Sequence, residues 1–175
     1  TFVYVLTIAT DARSVVYSGR SVFGIVRVAR LAAEMLGRKC VVHEFYDGNV
    51  LHGLQVFGID ELNGRATAYY GVNASGAVIV NHPKYRRGFP LRVNITGLGV
   101  GTLLTYARKM DCYVAYEISP DVLNVSTNSD YFSYVSDCKA DVAVRLCDAR
   151  LGLEKERLEK NPKYDVIVLD AFSGE

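Results

Sequence analysis

Leu91-Arg92-Val93-Asn94-Ile95-Thr96 runs directly into Gly97-Leu98-Gly99-Val100-Gly101, and a second apolar run, Tyr113-Val114-Ala115-Tyr116, closes on Glu117. Between them Leu103, Leu104, Ala107 and Met110 recur at helical spacing. A strand, a glycine turn, a helix and a strand tipped with a carboxylate predict a nucleotide-type cofactor site. Gly97 lets the chain turn sharply out of the strand, Gly99 clears space for a ligand against the main chain, and Gly101 lets the helix start close to the sheet. The unpaired N–H groups at the helix start then face the ligand. Glu117 follows Gly97 at the interval of about twenty residues that places an acid on ribose hydroxyls. The competing reading is an ordinary tight strand-to-helix turn. The spacing is G-x-G-x-G, with Thr102 next, where the dinucleotide fingerprint is G-x-G-x-x-G. That difference points from NAD towards S-adenosyl compounds.

Working outward from this stretch, strands are expected at 92–96, 113–117, 142–147 and 165–170, separated by helical segments. Such alternation builds a parallel sheet through right-handed crossovers. Ser119-Pro120-Asp121 supplies a helix N-cap, a proline at the first helical position and an early acid. Residues 151–160 carry Glu154, Lys155, Glu156, Arg157 and Glu159 around Leu151, Leu153 and Leu158, which reads as a solvated helix face.

The front third reads differently. Residues 14–18 and 21–28 are strand-like with Gly19-Arg20 as the hairpin turn, 30–36 is helix-prone with Gly37 closing it, and 40–45 is a strand before the turn Asp47-Gly48-Asn49. Thr1-Phe2-Val3-Tyr4-Val5-Leu6-Thr7-Ile8-Ala9 alternates as a strand. The expected organisation is a small N-terminal antiparallel β unit over 1–64 and an α/β Rossmann-like domain over 65–175, of the S-adenosylmethionine-dependent transferase type. The parallel sheet ends after four strands, so the chain reads as a C-terminally truncated piece of a longer protein.

A chain of 175 residues with half of them hydrophobic can bury a substantial core. A net charge of +1 with scattered Lys and Arg argues against nucleic acid as partner. Cys40, Cys112, Cys138 and Cys147 form no C-x-x-C pair, which suggests reduced thiols and a cytoplasmic setting. Cys40 with His43 comes nearest to metal-ligand spacing, and no second pair completes a site, so no metal is expected. No run approaches the roughly 20 apolar residues that cross a bilayer.

In an open parallel sheet the carboxyl ends of the strands line the ligand crevice. The glycine turn, Glu117, Asp148 and Asp170 all converge there. Asp148 either accepts from an adenine amino group or caps the helix ahead of Leu151, and Asp170 faces the reacting end of the ligand or caps a turn. His52 beside Gly53 could line the crevice or bond to backbone in a turn. Tyr69 and Tyr70, read as strand neighbours, point to opposite faces, so at most one reaches the site.

These motifs occur in a recognisable order. Gly97-Leu98-Gly99-Val100-Gly101, Tyr116-Glu117-Ile118-Ser119-Pro120, Cys147-Asp148-Ala149-Arg150 and Val168-Leu169-Asp170-Ala171-Phe172-Ser173 resemble the sequential motifs of spermidine synthases, the polyamine aminopropyltransferases. Arg20-Ser21-Val22-Phe23-Gly24-Ile25-Val26-Arg27-Val28, Leu51-His52-Gly53-Leu54-Gln55, Ala68-Tyr69-Tyr70-Gly71 and Tyr131-Phe132-Ser133-Tyr134 resemble most closely the spermidine-synthase-like domains that follow membrane-spanning segments in some bacterial fusion proteins.

The resemblance implies that Gln55, Glu117 and Asp148 bind decarboxylated S-adenosylmethionine as co-substrate. It implies that Tyr69, or its neighbour Tyr70, sits beside the attacking amine, and that Asp170 helps deprotonate it. It also implies a small-molecule amine substrate and a homo-oligomer, a dimer by analogy. Two positions depart from the pattern: the family usually has an aspartate where this chain has Val100, and a second acid where it has Ser173. Glu175 could compensate in part. Their absence favours one alternative, a methyltransferase using S-adenosylmethionine; a further alternative is a non-catalytic ligand-binding domain of a membrane protein.

Overall fold

The computed structural model describes residues 7–8 and 13–171. Five strands form an antiparallel sheet: β1 (Thr7–Ile8), β2 (Ser14–Ser21), β3 (Gly24–Met35), β4 (Arg38–Asp47) and β5 (Val50–Phe57). β1 and β2 follow one another along one edge of β3, and β4 then β5 build out from the other, so the sheet is four strands wide. Of the expected opening strand, only Thr7–Ile8 lies within the described residues.

Two expectations in this unit are corrected. The first hairpin turns at Val22 and Phe23, between the paired Ser21 and Gly24, and not at Gly19-Arg20. Gly19 stays in the strand opposite Val26. Its missing side chain serves a close approach, since a Cβ there would stand 2.6 Å from Asp121 Oδ1.

The second correction concerns 30–36, which is the continuation of β3 and not a helix. Leu31 and Ala33 are buried while Arg30, Ala32 and Glu34 are exposed, the period of two that marks a strand. Continuous pairing with β4, from Val26↔Asp47 to Met35↔Arg38, outweighs the local helix preference of Leu, Ala, Glu and Met. Leu36 (φ 54°) and Gly37 (φ 69°) close the hairpin with the two positive φ angles of a type I′ turn.

Short helices α1 (Ala77–Val80) and α2 (Pro83–Arg86) lead into a parallel sheet of β6 (Arg92–Thr96), β7 (Cys112–Glu117), β8 (Asp141–Leu146) and β9 (Val166–Leu169). The order across this sheet is β8-β7-β6-β9, all strands parallel. This is the Rossmann-like α/β class expected from the alternation. Helix α3 (Pro120–Thr127) starts as anticipated, with Ser119 Oγ accepting from the Val122 N–H, and α4 (Ala149–Leu158) starts behind Asp148.

The helix expected after the glycine turn shrinks to a 3₁₀ turn, Thr102–Tyr106, and Met110 is exposed. Buried Asp111 draws the chain out of helical geometry. It accepts from the Arg108 and Leu91 N–H groups and pairs with the Arg108 guanidinium at 2.8 Å. The charged face of α4 is also not wholly solvated, because Glu156 is buried and binds Arg145 and Tyr164, each at 2.6 Å.

Val26, Val28 and Phe45 of the antiparallel sheet pack with Val100, Val122, Val125 and Phe132, so the two units share one buried seam. Among the described residues, no helix is long and apolar enough to cross a membrane.

Candidate functional site

Successive strands are added to one side of β6 as β7 and β8, and then to its other side as β9. At such a reversal the loops at the carboxyl ends of the two neighbouring strands diverge and leave a crevice. A cleft of about 470 Å³ opens there. One wall is the glycine turn with Glu117, Asp148 and Asp170. The other comes from the antiparallel sheet, through Phe23, Asp47 and His52, with Tyr69 and Tyr70 between the two.

Gly97 leaves β6 with φ 89°, and its N–H donates to Tyr116 O at 2.9 Å. Glu117 is buried, and its carboxylate is held at both ends: Oε2 accepts from the Leu98 N–H at 3.0 Å and Oε1 from the Ser119 N–H at 2.9 Å. Each oxygen retains acceptor capacity beyond its one backbone bond. Asp148 caps α4 through Oδ1 on the Leu151 N–H at 3.0 Å, and it also lines the cleft.

At the far end of the cleft Asp170 Oδ2 accepts from the Tyr70 hydroxyl at 2.7 Å. Tyr70 and Tyr69 hydroxyls lie 2.9 Å apart, and His52 Nδ1 lies 3.3 Å from the Tyr69 hydroxyl. Burial raises the Asp170 pKa above the usual aspartate range, against the opposing pull of the Tyr70 hydrogen bond and of nearby His52. Burial likewise raises Tyr70 and Tyr69, so both phenols stay protonated.

The tyrosine pair corrects the expectation of opposite faces. Both residues sit on a 3₁₀ turn, Ala68–Tyr70, entered through Ala68 at φ 53°, and their rings lie 4.3 Å apart on the same side. Both therefore reach the cleft.

Gln55 and Gly101 are corrected too, because neither lines it. Gln55 is fully buried, with Nε2 donating to Asn63 Oδ1 and Ser133 Oγ, and Oε1 accepting from the Ser133 N–H. Gly101, at φ 86°, packs beneath Val135 and opens the Thr102–Tyr106 turn. Val100 is buried against Gly53 and presents nothing to the cleft. Ser173 and Glu175 lie outside the described residues.

Two residues of the site were undervalued from sequence. Asp47 read only as a turn residue, and no sequence signal distinguishes it. His52 is the extra residue of a β-bulge, where Phe45 pairs with Gly53 and Tyr46 with Leu51. A bulge re-aims a side chain, and Gly53 beside the histidine was its sequence trace.

The chain matches no protein-family model and no curated protein sequence. Among solved structures it is similar to the spermidine synthase from Thermotoga maritima, with a TM-score of 0.58, 19% identity, and coverage of 92% of this chain and 47% of that one. It is also similar to a spermidine synthase in complex with the transition-state analogue AdoDATO, with a TM-score of 0.52, 21% identity, and coverage of 90% of this chain and 47% of that one. The chain thus spans about half the length of the solved structures it matches. At these identities the likeness establishes the fold, a spermidine-synthase-like one.

Proposed function

We propose that the cleft binds decarboxylated S-adenosylmethionine and that the chain carries the adenosyl-binding half of a spermidine-synthase-like aminopropyltransferase. The observation that carries this reading is the opening of two differently prepared carboxylates into one cleft. Glu117 is pinned by backbone donors and suits the neutral hydroxyls of a ribose. Asp170, part-buried and bonded to a phenol, suits a proton.

In the reaction the nitrogen of an amine attacks the carbon next to the sulfonium. The C–N bond forms as the C–S bond breaks, and the electron pair leaves with sulfur, giving a neutral thioether and a protonated secondary amine. An ammonium ion has no lone pair with which to attack, so Asp170 takes a proton from the incoming amine, and Tyr69 and Tyr70 orient the nitrogen and the carboxylate.

Incubation of the intact protein with decarboxylated S-adenosylmethionine and a panel of amines, read by mass spectrometry, should yield an aminopropylated product and methylthioadenosine. Methylthioadenosine should bind the wild type in calorimetry and Glu117→Gln at least tenfold more weakly, roughly the worth of one hydrogen bond to a charged group. No product with any amine, together with undiminished binding to Glu117→Gln, would overturn the reading.

A second reading is supported by Val100. An acid at that place would help hold a cationic acceptor, and here the position is apolar and sealed under Gly53. Methyl transfer from S-adenosylmethionine on the same scaffold would not need it. Tighter binding of S-adenosylmethionine than of its decarboxylated form would select this second reading.

A further inference from the structure

We propose that His52 is a positioning residue for Asp170: its Nδ1–H heads a one-directional chain of hydrogen bonds that passes through Tyr69 and Tyr70 and ends on Asp170 Oδ2. The functional consequence rests on the transferase reading above, whereas the direction of the chain rests on geometry alone.

Three contacts must be filled, at 3.3, 2.9 and 2.7 Å, and each phenol brings one proton. With the Asp170 carboxyl ionised, Oδ2 can only accept, so Tyr70 spends its proton there. The contact between the two phenols then has to use the proton of Tyr69. Nothing remains for the outermost contact except a proton on Nδ1 of the imidazole. His52 is thereby fixed as a donor, and every bond in the chain points at the same carboxylate oxygen. Oδ1 of Asp170 accepts no hydrogen bond from the described residues and is the oxygen presented to an amine.

The surroundings hold this arrangement in place. The β5 bulge turns His52 towards the cleft. The Tyr70 carbonyl accepts from the Tyr106 hydroxyl at 2.7 Å, and the Tyr69 carbonyl accepts from Ser75 through Oγ at 2.7 Å and N–H at 3.2 Å. Ala68 sits at φ 53°, a conformation that L residues other than Asn and Asp rarely adopt, and it leads directly into the two adjacent phenols. A positive imidazole edge and aligned hydroxyl dipoles together favour the ionised carboxylate, which is the form that can accept a proton from the amine.

The test begins on the unliganded wild type, where nitrogen-15 NMR of the imidazole should show His52 protonated at Nδ1. Protonation at Nε2 alone near neutral pH would overturn the proposal. Tyr69→Phe removes the acceptor, and the His52 Nδ1 resonance should then shift from its wild-type position; an unchanged resonance would also overturn the proposal.

In turnover, His52→Ala should lower kcat roughly three- to tenfold, the worth of one hydrogen bond, with KM for the adenosyl co-substrate unchanged. His52→Asn, which restores a donor near Nδ1, should recover most of that loss. Equal losses in the two variants would overturn it. If the protein transfers nothing to any amine, the transferase reading fails, while the tautomer measurement still decides the direction of the chain.

Discussion

A Cβ on Gly97 would stand 2.4 Å from the carbonyl oxygen of Asp170. The glycine at the end of β6 and the acid at the end of β9 are therefore in backbone contact, and the cleft floor is set by their closeness. Gly97→Ala also demands φ near 89° of an alanine. It should cost about 3 kcal/mol in urea unfolding, through strain and displacement of the β9 end. An unchanged midpoint with wild-type affinity for methylthioadenosine would show that the contact is not binding on the fold.

Asp170→Asn should stabilise the protein at neutral pH while abolishing transfer. The Asp170 pKa is raised by burial. Relative to the unfolded chain, the group's contribution is thus fully present below the ordinary aspartate pKa, about 3.9, and is lost as pH rises through the higher folded value. Asparagine keeps an acceptor for Tyr70 and carries no charge to desolvate. The variant should melt a few degrees above wild type at pH 7, and the gap should close below about pH 4. A constant gap across that range would deny the cause.

Asp148→Ser separates the two roles of that residue. Serine caps a helix about as well as aspartate, so stability should stay within about 0.5 kcal/mol of wild type. Affinity for methylthioadenosine should fall tenfold or more, roughly one charge-assisted hydrogen bond. Unchanged affinity would leave Asp148 a cap alone.

Gly53 and Val100 make a test of the seam between the two sheets. A Cβ on Gly53 would lie 2.6 Å from Val100 Cγ2. Gly53→Ala should cost about 2 kcal/mol by overpacking, and Val100→Ala a similar amount by leaving a cavity. The double variant should cost at least about 1 kcal/mol less than the sum of the two. Simple additivity in denaturant unfolding would rule the contact out.

The parallel half was legible because its signals are local. The strand at Arg92–Thr96 falls where the apolar run places it, and the Ser119 cap and the α4 start lie within a few residues of their cues. The antiparallel half was less so. The helical preference of 30–36 is local, while the β4 ladder that overrides it depends on a partner strand. Gly19 reads as a turn until Asp121, a hundred positions on, is seen against it.

The site shows the same division. Glu117, Asp148 and Asp170 follow from strand ends. Gln55 bonds to Ser133, 78 positions away, a partner that no local signal announces. The joint approach of Tyr69 and Tyr70 depends on the backbone angle at Ala68, for which alanine gives no cue.

The position of β9 also orders events in time. It reaches β6 from 73 positions further along the chain, where Asp165 accepts from the Arg92 N–H. A chain emerging from the ribosome therefore carries Glu117 well before Asp170. Until that late strand slots in beside β6, the Gly97–Asp170 contact that sets the cleft floor cannot form, so the cleft is among the last features of the fold to be completed.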